Sequence, residues 1–114
     1  MTNLDVYNAA FACRELAKCK GLPILALIAL NKNAKLGNAI TEEVKEIRQV
    51  GDLHKHGEDA TKQAESDFLR ADYNGKEFIK LSVDDIQSAV SEGIATSESV
   101  GFLAEKGILL GLNE

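Results

Sequence analysis

The pair Asn74-Gly75 constrains the fold of this chain more than any other two residues, because it separates two short runs with strand character, 68–73 and 76–81. Asn and Gly both tolerate positive φ, which a tight hairpin turn requires, so the pair is a strong local hairpin signal. Most of the remaining sequence reads as helix. The pair therefore decides between a plain helical bundle and a mixed fold.

The register of such a hairpin can be tested on its faces. A two-residue loop pairs Tyr73 with Lys76, Ala71 with Phe78 and Leu69 with Lys80, which mixes apolar and charged residues on both faces. A three-residue loop, with Gly75 at a positive-φ bulge position, sorts them better. Leu69 then faces Ile79, while Arg70, Asp72, Lys76, Phe78 and Lys80 gather on the other side, with Asp72 across from Lys76. The competing reading continues the preceding helix to Tyr73, since Ala60, Ala64, Phe68 and Ala71 keep helical spacing. The sorting of faces favours the bulged hairpin.

At 114 residues the chain has the length of one domain, 1–114, able to close a single core. Its hydrophobic content of 45% and charged content of 27% are those of a globular protein. With no Trp, two Tyr and four Phe, the core must come from Leu, Ile, Val and Ala, a mix that favours helix. The sequence predicts a mainly α (α+β) fold: a compact bundle of five to six short helices with one β-hairpin around residues 68–81.

Thr2 or Asn3 caps a first helix, and Gly21 with Pro23 separates it from the next. Residues Ile24 to Leu30 are apolar on every side, which places that segment at the centre of the core. Residues 31–38 read as a fraying end and a turn. Thr41 then caps a third, surface helix with a narrow inward stripe of Ile40, Val44 and Ile47, which Val50 extends. A polar loop between Gly51 and Gly57 leads to a fourth helix from about Glu58. Ser82 with Asp85 forms a capping-box-like start to a fifth, with Val83, Ile86, Ala89 and Val90 inward. Thr96 or Ser97 caps a sixth.

The net charge of −5 is uneven. Residues 1–40 carry five basic and two acidic side chains, residues 41–72 five and nine, and residues 73–114 three and seven. The acidic balance weakens the case for non-specific binding to nucleic acid or a membrane surface. The nine-residue apolar run 22–30 is far short of the roughly 20 residues of a membrane span. The first residues lack the basic-then-apolar pattern of a signal peptide. Cys13 and Cys19, six positions apart, point to different faces of one helix and cannot bridge within it. They are read as small buried hydrophobes in a reducing compartment, the cytoplasm.

Chemistry-bearing clusters are few. His54 and His56, with Asp52, Glu58 and Asp59, are a candidate metal-ligand group, but the two-residue His spacing fits a solvated loop better. No metal and no cofactor is expected. There is no Gly-x-Ser-x-Gly element and no phosphate-binding glycine loop, so the chain is read as non-catalytic. The function expected is a small protein–protein interaction or regulatory module, self-associating as a homodimer or capturing a partner protein through an apolar C-terminal helix over residues 100–112. Its partner-facing residues would be Val100, Phe102, Leu103, Leu109 and Leu110, unless that helix completes the monomer's own core. The alternative is a winged-helix-like DNA-binding regulator, with the 68–81 hairpin as its wing and Arg70, Lys76 and Lys80 on the outer face.

Overall fold

The computed structural model describes residues 1–111. In chain order it holds α1 (Asn3–Leu16), α2 (Ile24–Leu53), α3 (Glu58–Arg70), β1 (Leu81–Ser82), a 3-10 turn (Val83–Ile86), α4 (Gln87–Ser91), α5 (Ser97–Glu105) and β2 (Leu109–Leu110). The fold is mainly helical, as the composition implies, with one short two-stranded sheet.

Three helical segments start with the same device. Thr2 Oγ1 accepts from the Asp5 N–H at 3.1 Å, and the Asp5 carboxylate accepts from the Thr2 N–H at 3.0 Å. Ser82 and Asp85 repeat this reciprocal cap ahead of the 3-10 turn. Thr96 and Ser99 repeat it ahead of α5. Each cap satisfies amide donors that the first turn of a helix otherwise leaves free.

The second and third helices expected from sequence are one. α2 has 30 residues, about 45 Å of helix at 1.5 Å per residue. It nearly spans the longest dimension of a molecule measuring 50 × 25 × 24 Å, which is elongated rather than compact. The turn expected at 31–38 is not made, and Thr41 is no cap: its hydroxyl donates to the Gly37 carbonyl at 3.1 Å inside the helix. Asn33, Gly37 and Asn38 are poor helix formers, but tertiary contacts offset their preference. Gly37 lies against α1, where a Cβ would come within 2.8 Å of the Ala10 Cβ. Asn33 is wholly buried and doubly hydrogen-bonded.

The core lies between α1, the first half of α2 and the C-terminal third of the chain. Leu16, Leu30, Ile86, Leu103 and Ile108 are its largest fully buried side chains. Residues Ile24 to Leu30 do not sit at its centre on all sides. Ala26, Ala29 and Leu30 are buried, whereas Ile24 is 76% and Leu25 80% exposed.

The hairpin at 68–81 is not formed. Phe68 to Arg70 complete α3, and Gly75 is not among the residues with positive φ. The chain after α3 instead runs as an extended strap held by three different elements. Asp72 bridges antiparallel to Thr2, with the Tyr73 N–H donating to the Met1 carbonyl at 2.9 Å. Asn33 then takes the place of a strand partner. Its Nδ2 donates to the Ile79 carbonyl at 2.9 Å and its Oδ1 accepts from the Ile79 N–H at 2.7 Å. Finally β1 pairs in parallel with β2, Leu81 opposite Leu109. Long-range partners outcompete the local turn because they bring Phe78 and Leu81 onto the core, whereas the hairpin register left Phe78 on a charged face.

Candidate functional site

α1, the C-terminal elements and the first half of α2 form a packed head, while the second half of α2 and α3 form a projecting arm. From Thr41 to Leu53, Gly51 alone is buried, and α3 has no buried residue. The arm is held by pairing between its two helices and, at the end of α3, by α1, where the buried Asn3 amide donates to the Phe68 carbonyl at 2.7 Å. The Arg48 guanidinium meets the Glu65 carboxylate at 2.8 and 3.2 Å. Arg48's hydrogen bonds, more than its charge, hold the Glu65 carboxyl below the usual range. Gly51 gives α3 room to approach, since any Cβ there would collide with Thr61. Beside this contact a groove is lined by Ile47, Val50, Ala60 and Ala64 and edged by Glu43 and Glu46.

Helix faces carry large apolar side chains in solvent. On α1, Leu4, Tyr7 and Phe11 are between 43% and 52% exposed. On α2, Ile24, Leu25 and Ile28 near one end and Val50 and Leu53 near the other are exposed. Sequence patterning misses Ile24, Leu25 and Ile28, because it reads an all-apolar run as all-buried; it places Val50 on an inward stripe and Leu53 in a loop. The signal that finds them is position on the helix relative to Ala26, Asn33, Gly37 and Ile40, which fix the inward face.

The predicted C-terminal partner residues divide. Leu103 is 1% and Leu109 3% exposed, and with Ile108 they complete this chain's own core. α5 also stops at Glu105, after which Gly107 takes φ 75° and leads into β2. Val100 and Phe102 are half-buried, and Leu110 is 49% exposed. Phe102 shares a shallow pocket with Phe11 and Ile94. The continuous apolar helix expected over 100–112 is therefore not present in the described part, and Leu112 lies outside the described residues.

The wing required by the DNA-binding alternative is absent with its hairpin. Arg70 ends α3, and Lys76 and Lys80 lie exposed along the strap rather than on paired strands. His54 and His56 lie at the tip of the arm with ring centroids 5.9 Å apart and ring planes tilted by 54°. Among the described residues no group of three or more His, Cys, Asp or Glu side chains is placed to hold a metal ion.

Both cysteines are free and buried, as expected of small core residues. Burial pushes the Cys13 thiol up to about 11. A hydrogen bond to Glu92, Sγ to Oε2 3.1 Å, raises that of Cys19. Both are thus protonated at neutral pH and poor nucleophiles. Among the described residues no helix is long and apolar enough to cross a membrane. Comparison with known protein families, curated proteins and solved structures finds no match to this chain.

Proposed function

We propose that this chain is a non-catalytic interaction or regulatory module that works as a homodimer or holds a partner protein. The observation that carries this reading is the set of large apolar side chains left in solvent on α1 and α2, above all Leu25 and Leu53 at 80% and 78% exposure. Single exposed apolar residues are ordinary, but rows of them on regular helix faces mark contact surfaces. Val100, Phe102 and Leu110 remain candidates for the rim of such a contact, while Leu103 and Leu109 act from within the fold. Two protonated, unpaired thiols support both the non-catalytic reading and a reducing, cytoplasmic setting. Sedimentation equilibrium over a wide concentration range tests the homodimer. A mass of twice 12.3 kDa is expected, and a strict monomer at the highest attainable concentration counts against it.

A further inference from the structure

The outward face of α2 has a symmetry that the inward face lacks. Counting from Ala39, the exposed positions at −4 and +4 are Lys35 and Glu43, and those at −7 and +7 are Lys32 and Glu46. At −11 and +11 stand Ile28 and Val50, and at −14 and +14 Leu25 and Leu53, all exposed. At 100° per residue these nine positions fall in a sector about 80° wide, turned away from Ala26, Asn33, Gly37 and Ile40. Their spacing of three and four is the seam of a paired helix.

We propose that this stripe is the contact face of a two-fold antiparallel dimer, with Ala39 on the axis. The inference rests on the homodimer reading and specifies its surface. Laid antiparallel on a second copy about Ala39, the stripe places Lys32 against Glu46 and Lys35 against Glu43, each pair occurring twice by symmetry. Leu25 meets Leu53 and Ile28 meets Val50, so apolar contacts close both ends. Ala39 meets itself, and its small side chain lets the helices come close. A parallel pair would stack lysine on lysine and glutamate on glutamate, which charge repulsion disfavours. The contact would run about 42 Å, from Leu25 to Leu53. A second copy is the occupant whose charge sequence matches the stripe without further assumption, since the chain supplies both halves of the match.

The test uses charge reversal on the full chain. K32E/K35E makes the four charges of the stripe acidic, and E43K/E46K makes them basic. Each variant alone is expected to dimerise at least about tenfold more weakly than the parent. Mixing the two restores every opposite-sign contact and is expected to recover a heterodimer. The residues are exposed, so circular dichroism should show both variants folded. A short bis-maleimide reagent should join two copies of A39C and leave L25C unjoined, because two copies of position 25 would lie about 42 Å apart. Cys13 and Cys19 are buried and do not compete for the reagent. A dimer that ignores charge reversal, or that cross-links through L25C, overturns the antiparallel pairing and leaves self-association to another face. A monomeric parent protein overturns both.

Discussion

The two halves of α2 are one helix held in two ways. From Ile24 to Ile40 the inward face is made of Ala26, Ala29, Leu30, Asn33, Ala34 and Gly37, small or buried residues that let α1 and the strap approach closely. From Thr41 to Leu53 only Gly51 is buried, and helix α3 beside it has no fully buried residue, with Phe68 and Leu69 half-buried. The head half is rich in Leu and Ala, and packing keeps the helix unbroken through its weak stretch at Asn33, Gly37 and Asn38. The arm half is rich in Glu, Lys and Arg and relies on propensity and on the inter-helix pair Arg48–Glu65. Local stability should differ accordingly along one continuous helix.

The sharpest way to break this comparison is a matched pair of truncations. Leu30→Ala removes a fully buried side chain and should cost about 2–5 kcal/mol. Ile47→Ala, in the same helix but half-exposed, should cost under about 1.5 kcal/mol. Urea unfolding of both variants measures the gap, and equal losses would mean that the arm is as firmly packed as the head.

Asn33→Ala comes next. It leaves the Ile79 N–H and C=O without the partner that the buried amide provides, at about 1–3 kcal/mol. Asn38→Ala, on the exposed side one turn on, should be neutral or slightly stabilising. A matching loss at Asn38 would show that propensity rather than the strap contact is being measured.

Gly37→Leu should cost about 1–3 kcal/mol, because the space at Gly37 is filled by Ala10. The corresponding Gly51→Leu should instead loosen the arm by pushing Thr61 away. Amide exchange separates them: the first substitution should speed exchange throughout α1, the second only in α3.

The smallest effect concerns pH. The Glu65 carboxyl titrates below its unfolded value because Arg48 donates to it. Its contribution is therefore present above the unfolded value and is lost as pH falls through the lower, folded one. Acidification should lower the amide protection factors of α3, taken relative to the intrinsic exchange rate at each pH, and Arg48→Ala should return the Glu65 titration midpoint to the ordinary range. A Glu65 that titrates normally by NMR in the unmodified protein would contradict the ion pair.

What could be read from sequence alone was whatever short-range chemistry controls. The caps at Thr2, Ser82 and Thr96 and the mainly helical composition follow from side chains acting within a turn or two. The burial of the two thiols, Ile86 and Ala89 follows their apolar character, whereas Val90, expected inward with them, is 40% exposed. Long-range competition decided the rest. Asn74-Gly75 had every local qualification for a hairpin turn, yet the flanking chain found better partners in Met1, Asn33 and Leu109. Residues 31–38 had the composition of a turn, yet contacts with Ala10 and Ile79 kept them helical. Hydrophobic periodicity likewise could not separate the buried Leu30 from the exposed Leu25 in an unbroken apolar run. The face that a helix turns inward is set by what packs against it, and only the tertiary structure supplies that neighbour.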